Sequence, residues 1–68
     1  MNITVNLTRT NEVKEVEINK GSTILDLLKK IDIKPDTVIV LEKNKPLPID
    51  DDLTDNQKLT IIQVSSGG

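Results

Sequence analysis

The residues best suited to covalent chemistry are the last two of the sequence, Gly67 and Gly68. With no Cys and no His, the chain has no thiol or imidazole nucleophile. An α-carboxylate can still take part in acyl transfer once an ATP-using partner has activated it as an adenylate. Because glycine has no Cβ, a Gly-Gly end is thin enough to enter a narrow active-site slot. Taken alone this ending is weak evidence, because a floppy end, a cloning scar or a linker would look the same; its position shortly after the last predicted strand is what favours activation at Gly68.

The composition of the 68-residue chain restricts its other possible functions. The chain has no aromatic residue and a net charge of −2, so it lacks the stacking side chains and the basic stripe of nucleic-acid-binding domains. No segment has the length and apolarity of a membrane span, and the N-terminus has no signal-peptide pattern. We expect a small cytoplasmic protein that is a monomer, with no membrane and no nucleic-acid partner.

An enzyme with its own active site is the least favoured interpretation. The sequence has no nucleophile–base pair, and carboxylates alone need a cleft that a domain this small is not expected to have. Asp50-Asp51-Asp52 could suggest a cation site, but the run lacks the alternating spacing, the Gly and the Glu of a calcium loop. We expect a solvated acidic loop, with no metal site, no bound cofactor and no catalytic residue.

The first half of the chain predicts a hairpin followed by a helix. Ile3, Val5 and Leu7 alternate with polar residues, and a second strand is expected from Val13 to Asn19 with Val16 and Ile18 facing inward. The period then changes, because apolar residues follow at helical spacing on one face: Ile24, Leu27, Leu28 and Ile31.

Both ends of the predicted helix have sequence signals. Thr23 and Asp26 have the spacing of a capping box at its start. Lys34-Pro35 is expected to stop it, since proline lacks an N–H and disfavours helical geometry in the residue before it.

The second half predicts two further strands and a short edge strand between them. The expected elements are a strand over 37–41, a turn at Lys43-Asn44, a short edge strand over 45–48 and a last strand over 58–64. The segment 49–56 is expected to be a loop with one helical turn around Leu53. The helix must lie across one sheet face, because its single apolar stripe needs a partner.

Apolar residues on both faces of two strands predict an exposed patch. If Val38, Val40, Leu59 and Ile61 face the helix, alternation places four other residues on the open face: Ile39, Leu41, Ile62 and Val64. Such a patch often marks a protein-binding surface. The alternative is that a central strand pair carries these residues for β-propensity alone.

The whole chain resembles the ubiquitin-like β-grasp sulfur carriers, which include the thiamin and molybdopterin carriers (ThiS and MoaD) and the archaeal ubiquitin-like small modifiers. The segments that carry the likeness are 21–28, 38–41 and 56–68. The last is the most specific, because its apolar strand leads into a small-residue tail that stops at Gly67-Gly68. The resemblance implies an α+β β-grasp domain over 1–64, with a four- to five-stranded mixed sheet and one helix, and a flexible tail over 65–68.

The resemblance also implies a mechanism and partners. A ubiquitin-activating-type (ThiF/MoeB-like) adenylyltransferase would use ATP to adenylate the Gly68 carboxylate. Sulfur would then give a thiocarboxylate for thiamin, molybdopterin or tRNA thiolation, with sulfur donor and acceptor enzymes as further partners. In the alternative, Gly68 would be conjugated to target-protein lysines. We expect the activating enzyme to contact Ile39, Leu41, Ile62 and Val64, and Ser65 and Ser66 to follow the glycines into its cleft.

A third possibility belongs to a different class. The chain could be a β-grasp binding module with a non-functional tail, which removal of Gly67-Gly68 would leave active. Within the sequence, nothing singles out one of the eight lysines as an acceptor of conjugates.

Overall fold

Five strands form one mixed sheet with a helix packed across one face, which confirms the predicted α+β β-grasp fold. The computed structural model describes residues 1–64, so the predicted site residues Ser65, Ser66, Gly67 and Gly68 lie outside the described residues. In chain order the elements are β1 (Asn2–Leu7), β2 (Glu12–Glu17), α1 (Ile24–Lys30), a 3-10 turn (Pro35–Thr37), β3 (Val38–Glu42), β4 (Lys45–Leu47) and β5 (Lys58–Gln63).

The strand order determines which loops lie beside the end of the last strand. The order is β2-β1-β5-β3-β4, with β1 and β5 parallel at the centre and the other pairs antiparallel. The parallel pairing places Leu7, the last residue of β1, beside Ile61, and the antiparallel pairing places Val38, the first residue of β3, beside Gln63. We call this edge the exit end of the sheet, because β5 leaves the sheet there.

The core is built entirely from aliphatic side chains between the helix and one sheet face. Its buried members come from β1, β2 and the residue after it, the helix, β3, the loop before β5 and β5: Ile3, Val5, Val16, Ile18, Ile24, Leu27, Leu28, Val40, Leu53, Leu59 and Ile61. Three of the four residues predicted for the helical stripe are fully buried, and Ile31 packs at the margin.

The start of the helix confirms the predicted capping box. The Thr23 hydroxyl accepts from the Asp26 N–H, and the Asp26 carboxylate accepts from the Thr23 N–H at 2.9 Å. Two further orphan N–H groups donate to the loop before β5, Ile24 to Asp51 O and Leu25 to Ile49 O. Every N–H of the first turn therefore has an acceptor, as buried or half-buried helix ends require.

The helix ends earlier than Lys34-Pro35 predicts. Its last residue is Lys30, and Asp32 takes a left-handed conformation with φ of 61°. The Ile33 N–H donates to Leu28 O and the Asp32 N–H to Lys29 O, which is the hydrogen-bond pattern of a Schellman C-cap. The stop is therefore a backbone cap made by Asp32, and Pro35 instead begins the 3-10 turn.

The predicted helical turn around Leu53 is wrong. The loop runs extended there, with a single bridge between Thr23 and Asp52 and a hydrogen bond from the Leu53 N–H to Ser22 O. This contact buries Leu53 against the core, 5% exposed, and gives the loop backbone partners that a helical turn would have supplied internally.

Candidate functional site

The four predicted patch residues lie on the sheet face opposite the helix. Ile39 of β3 and Ile62 of β5 are directly paired across the two strands, and Leu41 is paired with Thr60. The Val64 N–H donates to Thr37 O at 2.9 Å, which continues the ladder one residue beyond β5 and keeps Val64 in phase with Ile62. The structure thus brings Ile39, Leu41, Ile62 and Val64 together; we call them the open-face patch.

The exposure of these side chains is high for aliphatic residues. Ile39 is 42% exposed and Val64 is 56% exposed, whereas Leu41 and Ile62 are half-buried. Pro46 extends the open-face patch, since it is paired with Leu41 and is exposed. Sequence reasoning missed Pro46, although a two-residue turn at Lys43-Asn44 would have placed it opposite Leu41.

The other half of the open face is polar. By the same alternation, β1 presents Asn2, Thr4 and Asn6 there, and β2 presents Glu15 and Glu17, with Val13 as the one exposed aliphatic residue. The open face therefore divides along the β1–β5 boundary into a polar half and a half that is apolar apart from Lys58 and Thr60 of β5. The apolar half is the one that contains Val64, the last residue that the structure describes.

Hydrogen bonds from both sides hold the end of β5. On the β1 side, the Thr8 N–H and hydroxyl both donate to Ile61 O, each at 3.2 Å. The Arg9 guanidinium donates from Nη1 to Gln63 Oε1 at 2.7 Å. On the β3 side, Thr37 O accepts from Val64. The position at which the chain leaves the sheet is consequently fixed up to Val64.

A cleft of about 340 Å³ lies at the exit end on the helix side of the sheet. It has an apolar floor and two cationic side chains, and we define this exit cleft by six of its lining residues: Leu7, Ile33, Val38 and Ile61 with Arg9 and Lys34. The sequence gives no signal for it, since Arg9 and Lys34 meet only because the β1–β2 turn and the segment after the helix converge at the exit end.

Two carboxylates with lowered pKa values lie at the opposite end of the molecule, away from both surfaces. The pKa of Asp26 is lowered chiefly by the hydrogen bond from the Thr23 backbone and then by that from its side chain. The pKa of Asp55 is lowered chiefly by the hydrogen bond from the Asn2 N–H, at 3.0 Å. Both bonds stabilise local structure, a helix start and the first residue of β1, and neither prepares a group for catalysis.

Within residues 1–64, no group of three or more acidic side chains is gathered closely enough to hold a metal ion. Asp50-Asp51-Asp52 is exposed, and its backbone serves the helix start and the bridge to Thr23. In the same described part of the chain, no helix has the length and apolarity needed to cross a membrane.

Comparison with known proteins gives three likenesses. The family model described as small archaeal modifier protein 2 matches residues 1–64. An uncharacterized protein of Archaeoglobus fulgidus is 37% identical over 54 residues, which cover 79% of this chain and 78% of that protein. The sulfur carrier protein TtuB of Thermus thermophilus is 27% identical over 60 residues, which cover 88% of this chain and 92% of that protein.

Proposed function

Because the chain belongs to the small archaeal modifier protein 2 family, whose members are modifiers or sulfur carriers and not enzymes, we propose that it works through the activated α-carboxylate of Gly68. The leading form of the proposal is a sulfur carrier, as TtuB is named. In this form Gly68 becomes a thiocarboxylate that supplies sulfur to a biosynthetic or tRNA-modifying enzyme.

The activation step follows from the chemistry of a carboxylate. Its oxygen is too poor a leaving group for direct displacement, so a ubiquitin-activating-type partner would join the Gly68 carboxylate to the AMP part of ATP and release pyrophosphate. A persulfide sulfur then displaces AMP, and a thiol cleaves the resulting S–S bond reductively to leave the thiocarboxylate. ATP belongs to the partner enzyme, and the carrier itself needs no bound cofactor.

The observation that carries the proposal is the position of the glycines relative to a fixed strand end. Hydrogen bonds hold the backbone up to Val64, and Gly67-Gly68 follow after two small residues. Fully extended, the segment from Val64 to Gly68 reaches roughly 16 Å at about 3.3 Å per residue. That reach is sufficient for Gly68 to enter a partner's active site while the folded body docks outside it, with Ser65 and Ser66 narrow enough to follow.

We assign the docking role to the open-face patch. Ile39, Leu41, Ile62 and Val64 form an apolar surface on the strand pair that leads into the tail, whereas monomeric proteins usually keep an open sheet face polar. A partner that covers this surface would hold the start of the tail in a defined direction, because Val64 belongs to both.

Adenylation of purified variants tests the site. The assay is ATP–pyrophosphate exchange by a ubiquitin-activating-type adenylyltransferase from the same genome. Deleting Gly68 shortens the reach by about 3.3 Å. Since a misplacement of about 1 Å can cost about 100-fold in rate, exchange should be abolished. Gly67→Ala should impair exchange, and Ser65→Ala, which keeps a small side chain, should be close to wild type. Normal exchange by the deletion variant would exclude the proposal.

The second candidate is a protein modifier, which the family's description favours. The same adenylate would pass to a thiol and then to a lysine amine, forming an isopeptide bond. Mass spectrometry of natively expressed protein separates the two: a thiocarboxylate adds the mass difference between sulfur and oxygen. After conjugation, trypsin cuts at Lys58, so an acceptor lysine would carry the branch 59–68. A phenotype that survives removal of Gly67-Gly68 would instead indicate a binding module.

A further inference from the structure

The exit cleft lies on the other side of β5 from the open-face patch, at the same end of the sheet. The floor comes from Val38 and Ile61, which point to the helix side, together with Leu7 and Ile33. Val64, the last described residue, therefore lies at an end of the sheet that has an apolar surface on each face, the open-face patch on one and the exit cleft on the other. A partner that grips this end of the molecule can contact both.

Charge distinguishes the exit cleft from the open-face patch. Arg9 and Lys34 line it together with one acidic residue, Asp32. The bond from the Arg9 guanidinium to Gln63 Oε1 orients the guanidinium without neutralising its charge, because an amide oxygen carries no formal charge. The cleft thus offers two cations above an aliphatic floor, which suits a carboxylate flanked by aliphatic side chains.

The exit end is also the positive part of an acidic protein. The segments that meet there, 7–12, 29–38 and 61–64, contain four cations and three acidic residues: Arg9, Lys29, Lys30 and Lys34 with Glu12, Asp32 and Asp36. The rest of the chain contains the other five of the nine cations and eight of the eleven acidic residues. Counting side chains alone, the exit end carries +1 and the rest of the chain −3, so a negative surface attracts the exit end more than the rest of the molecule.

We propose that the exit cleft is a second contact surface for the activating enzyme, where Arg9 and Lys34 bind an acidic side chain flanked by aliphatic ones on that enzyme. This inference rests on the proposed function and adds to it a charged contact and its location. The open-face patch supplies apolar area, and the exit cleft supplies orientation and association rate, which charged interface contacts chiefly determine.

Charge reversal in the exit cleft tests the inference. The double variant Arg9→Glu/Lys34→Glu is compared with the control Lys14→Glu/Lys20→Glu, which makes the same change in net charge at exposed positions on β2 and in the loop after it, outside the segments of the exit end and away from β5. In the adenylation assay we expect the KM for the carrier to rise about tenfold or more in the test variant, because like charges then meet across the contact. The control should change KM by less than about threefold, as expected of charges distant from a contact.

Two further measurements separate an effect on binding, seen in KM, from an effect on the position of the end of β5, seen in kcat. Lys34→Glu alone leaves the Arg9–Gln63 hydrogen bond in place, so it should raise KM with kcat unchanged. High salt should raise the wild-type KM and remove most of the difference between wild type and the double variant, since salt screens exposed charges. If both double variants have equal KM values, or Lys34→Glu lowers kcat alone, the exit cleft is not this contact.

The remaining outcomes are equally decisive. If the wild type is not adenylated, the proposed function fails, and the inference fails with it. If the wild type is adenylated normally and the exit-cleft variants are too, only the inference fails. NMR titration with inorganic phosphate or ATP, without enzyme, tests whether the exit cleft binds a small anion instead of a carboxylate of the enzyme. Saturable shifts of Arg9 and Lys34 in that titration would assign the cleft to a small anion and overturn the protein contact.

Discussion

The two faces of the β3–β5 strand pair carry the same kinds of side chain in opposite surroundings. On the helix side, Val40, Leu59 and Ile61 are 2% or 3% exposed. On the open side, Ile39 is 42% exposed, and its cross-strand partner Ile62 is half-buried. Ile61 and Ile62 are neighbours in the chain, so isoleucine fills the core at one position and lies on the open face at the next.

β-propensity alone does not account for the open side. The adjacent strands β1 and β2 share the same open face, and they place Asn2, Thr4, Asn6, Glu15 and Glu17 there. A sheet that needed only strand-forming residues could have used threonine throughout, since it has high β-propensity without apolar exposure. The contrast within one face favours a covered surface over β3 and β5, and it can be broken or sharpened by substitution.

The largest expected effect separates Ile61 from Ile62. Ile61→Ala should destabilise the fold by about 3 kcal/mol, because it removes a side chain that is only 3% exposed, at the place where the core meets the floor of the exit cleft. Ile62→Ala, one residue along, should cost less than about 1 kcal/mol, because its side chain is already partly in water. The measurement is the free energy of unfolding from urea or guanidinium titration.

A graded variant protects this comparison against loss of folding. Small domains rarely exceed about 3–5 kcal/mol of stability, so Ile61→Ala can fall below the folding threshold. Ile61→Val and Ile62→Val keep both chains folded, and about 1 kcal/mol is expected for the first and almost nothing for the second. Equal losses at the two positions would remove the distinction between the faces.

In binding, Ile62 should matter more than Ile61, which is the reverse of their order in stability. Ile62→Asp should weaken binding to the activating enzyme by about 2 kcal/mol or more, because it places a charge at the centre of an apolar contact. The fold should survive, since the side chain lies outside the core. Calorimetric titration of the two purified proteins measures the affinity.

Asn6→Asp is the matched control for that substitution. It adds the same charge to the same open face, but to an exposed position on β1 in the polar half. Its affinity should equal that of the wild type. Unchanged affinity of Ile62→Asp would move the docking surface elsewhere.

The sequence predicts the open-face patch well because strand alternation is a local rule. Once Leu59 and Ile61 face inward, Ile62 and Val64 must face outward, and no tertiary information is required. The same locality explains the success of the capping box, whose two members are three residues apart. The order of elements and the likeness carried by segments 21–28, 38–41 and 56–68 were sufficient to predict the fold and the family, which the five-stranded sheet and the family match over residues 1–64 confirm.

Features that depend on tertiary contacts could not be predicted this way. Leu53 is ordered by the Ser22 carbonyl, more than thirty residues earlier in the chain, so its extended conformation has no local signal. The exit cleft joins Arg9 to Lys34 through the convergence of two loops. The helix stop at Asp32 was missed because an aspartate at a left-handed position is a much weaker signal than the glycine usually found there.

Substitutions in the turn between β3 and β4 should change stability without altering either face of the β3–β5 strand pair. Lys43 and Asn44 both have positive φ, 51° and 67°, in the two-residue turn between β3 and β4. Such turns favour Asn-Gly, so Lys43→Asn/Asn44→Gly should stabilise the fold by about 1 kcal/mol. Thermal unfolding measures the gain, and affinity for the activating enzyme should stay constant. A change in affinity would mean that the open-face patch extends to the turn.

The smallest effect expected is a loss of stability in acid that involves neither face of the strand pair. Hydrogen bonds from Thr23 and Asn2 lower the pKa values of Asp26 and Asp55 in the folded protein. A carboxylate whose folded pKa lies below its unfolded value contributes stability above the unfolded pKa, and this is lost as pH falls through the folded pKa. Stability should therefore decline below about pH 4, the usual range for an unfolded aspartate.

Asp26→Asn/Asp55→Asn should flatten that decline, because the asparagines keep an acceptor oxygen but do not titrate. Unfolding free energies measured at intervals between about pH 2 and pH 5 give the slope, which counts the protons taken up on unfolding. Asp50→Asn/Asp51→Asn makes the same change in net charge in the exposed acidic loop, so it separates general charge effects from these two hydrogen bonds. If the Asp26/Asp55 double variant keeps the wild-type slope, the two bonds do not govern acid stability.

The same pH series can be used to measure binding to the activating enzyme. If acid weakens binding while the fold stays intact, charge rather than apolar area dominates the docking surface. The exit cleft, and not the open face of the strand pair, would then be the main contact.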